Sequence, residues 1–508
     1  MNADMGAREP APHAGQGAVG HATSYGARLH QLARAAPNEV AVVLAAEGGE
    51  VSQHTRAELD DRSTQLARVL ARRGLGVGDR LAIQLPNSVE LVIGCFAGWK
   101  LGATVIPMRW DLPDWEARRV REVAAPVVVL EPGSLGLFEE AQTQPAEPFE
   151  FATSPIAQGI CSSGATGTPK VILRKTPAIW PQDARSTAIQ ESYGPLPTAA
   201  QRTLVCGPMY HTNGFTALSD LLSGFSTVIM GRFDAARAVE LVERFRPTGM
   251  VAATSLLQRI AQVPDVRRRD LSSLQWVLQG ASPLPRWVAD TWIDLVGAAN
   301  LYLIYGSTEA TGVVAIRGDE YLEHPGSLGK GIQGTRVKIL GPAGEELEPY
   351  EVGEIYLRPG NGVLVHEYLG DVPQTPVTPD GYTTVGDLGW LDEDGYLFLA
   401  DRRVDLIKSG GANVFPAEVE VALSEHPGIA DVAVIGLSDP EWGKRVHAIV
   451  QPRDPAAPPS PADVIAFAKA RLAPYKVPKT VELVERVPRS EAGKVSRQAL
   501  VHEREGSR

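Results

Sequence analysis

Residues 161–170 read Cys-Ser-Ser-Gly-Ala-Thr-Gly-Thr-Pro-Lys, and the meaning of this stretch decides the rest of the chain. Gly164 and Gly167 can adopt positive φ and let the backbone approach a ligand closely. Successive N–H groups in such a loop form a concavity for anions, and the hydroxyls of Ser162, Ser163 and Thr166 add donors. Lys170 adds a mobile positive charge for phosphate oxygens. Apolar runs on either side, Ile156 to Ile160 and Val171 to Leu173, predict a loop joining two strands. The Walker pattern is different, since it needs G-x-x-x-x-G-K-[ST] running into a helix. Alone, the stretch is either a phosphate cradle or an ordinary glycine-rich turn.

On its N-terminal side the chain alternates short apolar strands with helices of about a dozen residues. Val40 to Leu44, Leu81 to Leu85, Ala103 to Pro107 and Val127 to Leu130 read as strands; 59–73, 88–101 and 113–123 read as helices, the second capped by Ser88. A second round follows the loop. Its strands are 203–206, 227–230, 250–252, 276–278 and 301–304, and its helices are 215–222, 235–245, 255–261 and 286–295. This is the signature of parallel α/β layers in two similar halves. After Gly326 short alternating strands (337–340, 353–357, 363–368, 396–399) divided by Gly-Pro, Pro-Gly and Asp-Gly turns predict a β-rich subdomain. Asp401-Arg402-Arg403 opens a last α+β unit, with a helix from Pro416, strands at 432–435, 446–450 and 481–483, and a helix at 462–472. The expected architecture is therefore α/β: a tail 1–24, a large N-terminal domain 25–401 of two α/β subdomains plus a β-rich one, and a small α+β domain 402–508.

A chain of 508 residues exceeds a single core and predicts two to four domains. Its net charge of −11 excludes nucleic acid or an anionic membrane as the main partner. The arginines at 118–121 and 267–269 read as solvated faces. Cys95, Cys161 and Cys206 show no metal spacing and cannot all pair, which points to a reducing compartment. No apolar run approaches the ~20 residues that a membrane span needs. The first residues lack the apolar core of a signal peptide and read as a loose, disordered tail, so the expected location is cytoplasmic.

Four further places carry chemistry. Tyr305-Gly306-Ser307-Thr308-Glu309 follows the strand 301–304, and a strand end opening into a polar loop is where open α/β sheets bind ligands. Ser307 and Thr308 can donate to phosphate, and Glu309 offers a hard oxygen to Mg²⁺; the competing reading is a helix start with a capping glutamate. Asp387, after Val385-Gly386, can hold a ribose diol by two charge-assisted hydrogen bonds or be a plain turn aspartate. His211, in Pro-Met-Tyr-His-Thr-Asn-Gly-Phe, either borders a ligand or is a hydrogen-bonded histidine near a helix start. Lys494, in Arg-Ser-Glu-Ala-Gly-Lys, sits on a loop where most lysines are solvated and idle.

Taken in order, SSGATGTPK, PMYHTNGF, YGSTE, GEIYLRP, VGD, DRRVDLIKSGGANVFPAEVE and PRSEAGKVSR resemble the core motifs of the acyl-adenylate-forming superfamily. That family comprises acyl- and aryl-CoA synthetases, peptide-synthetase adenylation domains and beetle luciferases. The resemblance runs from about Tyr25 to Leu500. It implies a mobile C-terminal domain and an ATP-dependent ligase. A carboxylate attacks the α-phosphate of ATP, giving acyl-AMP and pyrophosphate, and the thiol of CoA then displaces AMP. Carried over residue by residue, Ser162, Ser163, Gly164, Thr166, Gly167 and Lys170 would manage the β- and γ-phosphates. Thr308 would touch the α-phosphate and Glu309 hold Mg²⁺, beside Gly306 and Ser307. Tyr305 with Gly280, Ala281 and Ser282 would line the adenine slot, and Asp387 and Arg402 would bind ribose hydroxyls. Lys494 would bridge carboxylate, α-phosphate and ribose in the first step. Gly410 and Gly411, after Ser409, would face the pantetheine channel, Trp442 resembles the CoA-ligase pattern, and His211 would border the acyl pocket.

Departures from the family pattern are Ala165 for Thr or Ser, Val385 for Thr, Val404 at the hinge for Asp or Lys, and Ala412 for Glu. The phosphate loop keeps its other donors, so ATP binding is expected to survive. A β-branched hinge residue is stiffer, although rotation there needs no charge. The segment around 401–420 is most similar to bile-acid or aryl/acyl-CoA ligases. The expected partner is a small-molecule carboxylic acid, with monomer and homodimer both open. The alternative is an adenylating enzyme with another acceptor: the thiol of a separate carrier protein or an amine, including an ATP-dependent diazotase using nitrite. A non-catalytic nucleotide-binding relative is disfavoured, because a dead site has little use for Glu309, Asp387, Arg402 and Lys494 together.

Overall fold

The parallel strands expected from the sequence gather into two sheets. The computed structural model describes residues 23–163, 169–180, 201–280, 282–402, 405–409, 412–490 and 493–506. The readings of the tail before residue 23 and of Gly164, Ala165, Thr166, Gly167, Ala281, Val404, Gly410 and Gly411 lie outside the described residues.

The larger sheet has nine strands. Its parallel centre runs Leu301–Gly306, Trp276–Gly280, Gly249–Ala253, Arg202–Val205, Ser226–Met230, Val40–Ala45. Antiparallel strands close both edges: Val51–Thr55 on one side, Val313–Arg317 and then Lys330–Gly331 on the other. The six-stranded sheet has a parallel core of Gln158–Ser163, Thr104–Pro107, Arg80–Ile83 and Val128–Leu130. Pro169–Arg174 runs back antiparallel along Gln158–Ser163, with Ser162 opposite Lys170.

One hydrophobic core lies between the two sheets, taking Val42, Val205 and Ile229 from the larger and Leu81, Val105 and Ile160 from the smaller. Between the first helices sits a buried charge network. Lys100 is fully buried and its Nζ donates to Asp60 Oδ1 at 2.6 Å, to the Asp60 carbonyl at 2.7 Å and to Thr64 Oγ1 at 2.7 Å. His30 Nδ1 lies 2.7 Å from the other Asp60 oxygen. Helices Tyr25–Ala35, Arg56–Arg72 and Val89–Lys100 are thereby tied together. Desolvation pulls the Lys100 pKa down to about 8 against the opposing charge of Asp60.

Two readings of the sequence need correction. The segment assigned to the β-rich subdomain at 363–368 forms the strand His366–Leu369, but it pairs with Pro169–Arg174 and becomes an edge strand of the six-stranded sheet. The β-rich sheet proper has four antiparallel strands: Arg336–Leu340, Gly353–Arg358, Asp387–Leu391 and Leu397–Arg402. The helix expected at 215–222 is two short ones, Thr212–Phe215 and Ala217–Leu222. Beyond these, Ile407–Ser409, Ala412–Val414, Ile429–Asp439, Gly443–Pro452 and Thr480–Leu483 make a five-stranded sheet with its own core. It carries helices Pro416–Ser424, Pro461–Lys469 and Arg497–Glu505.

Candidate active site

The strand Leu301–Gly306 ends at the carboxyl edge of the parallel sheet, where the chain reverses into Val313–Arg317. A turn does this: Ala310 N–H donates to the Ser307 carbonyl at 3.0 Å, Ala310 takes φ +53°, and the hydroxyls of Ser307 and Thr311 lie 3.3 Å apart. The helix start that Thr308 and Glu309 signal locally does not form. Glu309 is buried instead, with its Oε1 3.3 Å from Lys170 Nζ and accepting from the Tyr368 hydroxyl at 2.7 Å. Burial by itself raises the Glu309 pKa, but the Tyr368 hydrogen bond and the Lys170 charge prevail and hold it below the usual carboxylate value. An ionised carboxylate beside Lys170 fits Mg²⁺, which takes one or two protein carboxylates and completes its shell with phosphate oxygens and water. Among the described residues no group of three or more His, Cys, Asp or Glu could hold a metal without such help.

A second cluster is built around Asp387. This residue follows Gly386 (φ +86°), begins the strand Asp387–Leu391, is buried, and accepts from Tyr305 OH at 2.8 Å. In the strand pair Asp387 stands opposite Arg402. Asp387 is thus both the residue after a tight turn and the strand partner of Arg402. The loop after Gly280 is held from below. Gln279 Nε2 donates to the Ser282 carbonyl at 2.7 Å and to Thr254 Oγ1 at 2.6 Å, and Thr254 Oγ1 donates to the same carbonyl at 2.8 Å. A Cβ at Gly280 would meet Ile304 at 3.1 Å and Asn213 Nδ2 at 3.6 Å.

His211 caps the helix Thr212–Phe215 through its backbone, without a side-chain cap bond. Asn87 fixes the preceding loop: its amide donates to the carbonyls of Gly207 and Met230 at 3.0 and 2.9 Å and accepts from Met209 N–H at 2.8 Å. The packing is so close that a side chain at Gly214 would overlap the Pro208 carbonyl. Thr212 Oγ1 reaches Thr308 Oγ1 at 3.3 Å, which joins this helix to the turn that bears Glu309. Desolvation, with the charges of Lys494 and Arg109, lowers the His211 pKa to about 3, so its ring is neutral near pH 7.

Lys494 enters this site from the C-terminal domain. Its loop is closed by Ser490 N–H to Lys494 carbonyl at 2.9 Å and Gly493 N–H to Ser490 carbonyl at 2.8 Å. Arg489 braces it, pairing with Asp431 at 2.7 and 2.8 Å and donating to the Gly493 carbonyl at 3.0 Å. Across the domain boundary Gln258 donates to the Ala430 carbonyl at 2.7 Å. Lys494 and Gly493 share a cavity of about 240 Å³ with Tyr305, Gly306, Ser282 and Asp387. A second cavity of about 610 Å³ adjoins it across Ser255 and Gly493 and is lined by Arg109, Arg232, Arg259 and Arg486. Trp442 lines neither; it lies exposed beside Gly443, whose backbone pairs with Ser409, and Lys479 Nζ sits 4.8 Å from its ring centre.

Sequence reasoning missed Tyr368, Ser255, Gln279, Asn87 and Arg489. A tyrosine on a short strand reads as core, and its role emerges only once that strand leaves its sequence neighbours. Asn87, directly before the helix capped by Ser88, carries no local sign of its distant partners.

Known proteins resemble this chain over nearly its whole length. The family profile described as AMP-binding enzyme matches residues 29–366, and that of the AMP-binding enzyme C-terminal domain matches residues 418–494. A feruloyl-CoA synthase from an Amycolatopsis species is 33% identical over 463 residues, covering 87% of this chain and 92% of that protein. The o-succinylbenzoate CoA synthetase of Bacillus subtilis, solved with its acyl-adenylate intermediate, superposes with a TM-score of 0.78 at 28% identity, covering 93% of this chain and 97% of the other. Its complex with ATP and a magnesium ion gives 0.77 at 27% identity, covering 93% and 98%.

Proposed function

Because this chain belongs to the AMP-binding enzyme family, we propose that it is an ATP-dependent acid–CoA ligase working in two half-reactions at one site. In the first, a carboxylate oxygen of the acid attacks the α-phosphorus of ATP, the bond to the bridging oxygen breaks, and pyrophosphate leaves. In the second, the thiol of CoA attacks the acyl carbon, AMP departs with the carboxylate oxygen it gained, and an acyl-CoA thioester forms.

The observation that carries this reading is that Lys494 of the C-terminal domain shares one cavity with Tyr305, Gly306 and Asp387. Little covalent work falls to the protein in such a transfer; placed cations and donors stabilise the charge that spreads over phosphate oxygens. In our reading Asp387 and Arg402 hold the ribose, and Tyr305 and the Gly280–Ser282 loop flank the adenine. Lys170 with the loop of Ser162, Ser163 and Thr166 takes the β- and γ-phosphates. Glu309 would hold Mg²⁺, which would supply neutralisation of the phosphate charge. Lys494 joins the carboxylate to the α-phosphate. His211, neutral and beside both Lys494 and Arg109, borders the acid without adding a charge to the reacting centre. The arginine-lined cavity suits a phosphate-bearing thiol. Mobility of the C-terminal domain lets Lys494 leave before that thiol enters, with Gly410, Gly411 and Trp442 then on its path. We place the reaction in the cytoplasm, where ATP and CoA are supplied together.

The test is product analysis with aryl, short-chain, medium-chain and steroidal acids, each with ATP and Mg²⁺, with and without CoA. An acyl-CoA mass appearing with one acid class supports the reading. AMP and pyrophosphate formed with CoA present but no thioester would replace CoA by a carrier-protein thiol or an amine.

A further inference from the structure

Tyr368 stands at the junction of the two groups that handle phosphate and metal, and neither the sequence motifs nor the family resemblance assigned it a part. It is buried on the strand His366–Leu369, which crosses from the β-rich segment to pair with Pro169–Arg174, the strand that carries Lys170. Its ring lies 3.9 Å from Lys170 Nζ, and its hydroxyl donates to Glu309 Oε1 at 2.7 Å. One side chain thus touches both members of the Lys170–Glu309 ion pair, the cation through its ring face and the anion through its hydroxyl.

The hydroxyl is aimed from behind. Thr375 Oγ1 donates to Tyr368 OH at 2.8 Å, and His366 Nε2 lies 2.8 Å from Thr375 Oγ1. Thr375 has a single hydroxyl proton and gives it to Tyr368, so the His366 nitrogen must be the donor to Thr375. Every proton in the chain His366, Thr375, Tyr368, Glu309 then points towards the carboxylate. Gln374 clamps the strand itself, exchanging hydrogen bonds of 3.0 and 3.1 Å with the Tyr368 backbone.

Nucleotide entry creates a problem that this arrangement solves. Lys170 and Glu309 neutralise each other when no ligand is bound, and a magnesium nucleotide has to part them, taking the lysine to phosphate and the carboxylate to metal. Without Lys170 a buried carboxylate would be free to swing. Resting on the reading of function above, we propose that Tyr368 is a positioning residue that keeps Glu309 in its metal-binding place while Lys170 is released. It presets the site for the magnesium complex of a nucleoside triphosphate over the free nucleotide.

The experiment is calorimetric titration of ATP into the full-length protein without any acid, so that no turnover occurs, once with Mg²⁺ and once with EDTA. Tyr368→Phe keeps the ring on Lys170 and removes the hydroxyl. It should weaken Mg·ATP binding about tenfold, the scale of losing a hydrogen bond to a charged group, while metal-free ATP binding stays within about twofold and the unliganded Tm within a few degrees. Thr375→Val, which leaves the Tyr368 hydroxyl in place but unsupported, should shift binding in the same direction by about threefold. Equal loss with and without Mg²⁺, or no loss in either variant, would overturn the proposal. Wild-type protein that binds no ATP at all would instead overturn the family-based reading on which it rests.

Discussion

Gly493 is the residue whose replacement tests most sharply how the two domains meet. It precedes Lys494, takes φ +76°, and packs against Ser255 on the N-terminal domain. A Cβ there would overlap Ser255 Oγ and lie 3.0 Å from Ser255 Cβ, where ordinary contact begins at 3.4 Å. Rotating the serine hydroxyl removes the first clash but leaves a shortfall of 0.4 Å, so the lysine loop of Gly493→Ala has to withdraw. Positive φ also strains alanine by roughly 1 kcal/mol, a cost present in any arrangement of the domains. The clash, by contrast, exists only when the loop is seated in this cavity. Misplacing a group that spans the reacting centre by even part of an ångström should slow adenylation about ten- to a hundredfold. Pyrophosphate release measures that step; thioester formation from supplied acyl-AMP measures the other and should fall by no more than about threefold. Ser255→Gly combined with Gly493→Ala removes both clashing atoms and leaves the φ strain, and should recover most of the adenylation rate. Adenylation within twofold of wild type in Gly493→Ala, or no recovery in the double variant, would refute the docking of Lys494 described above.

Two other outcomes are expected. Lys494→Ala should lower adenylation by at least about 10²-fold while thioester formation from supplied acyl-AMP survives better, and equal loss in both half-reactions would assign the lysine a different task. His211, whose folded-state pKa is lowered to about 3, lets the unfolded chain bind the extra proton between that value and its ordinary 6.5, so its contribution to stability shrinks as pH falls through this window. The Tm of wild type should therefore drop further than that of His211→Phe between pH 7 and pH 4, and parallel curves would show that the ring is not desolvated.

Much of this architecture was legible because it rests on local physics. Apolar runs of four or five residues became the parallel strands, Ser88 caps Val89–Lys100 by accepting from Leu91 N–H, and the glycine-rich stretch joins two strands. Failures came where tertiary contacts outrank local signals. Thr308 and Glu309 fit a helix cap as well as a ligand turn, since a capping glutamate would reach back to its own backbone. Tyr368 and Lys170 take that carboxylate instead, and the strand Val313–Arg317 needs the chain to reverse. The strand Val51–Thr55 was missed because Ser52, Gln53 and His54 lack an apolar face; as an edge strand it needs little of one. The crossing of His366–Leu369 to the other sheet leaves no mark in its own residues, and with it Tyr368 stayed hidden. His211 and Lys494, 283 residues apart in the sequence, come within electrostatic reach only through domain docking.

The central claim is that a carboxylate oxygen of the acid attacks the α-phosphorus of ATP. Acid labelled with ¹⁸O in both carboxylate positions, run to completion with ATP, Mg²⁺ and CoA, reports this directly by mass spectrometry of the products. The account predicts AMP carrying one ¹⁸O, an acyl-CoA retaining the other, and unlabelled pyrophosphate. Label in pyrophosphate or orthophosphate, or AMP without label, would contradict it.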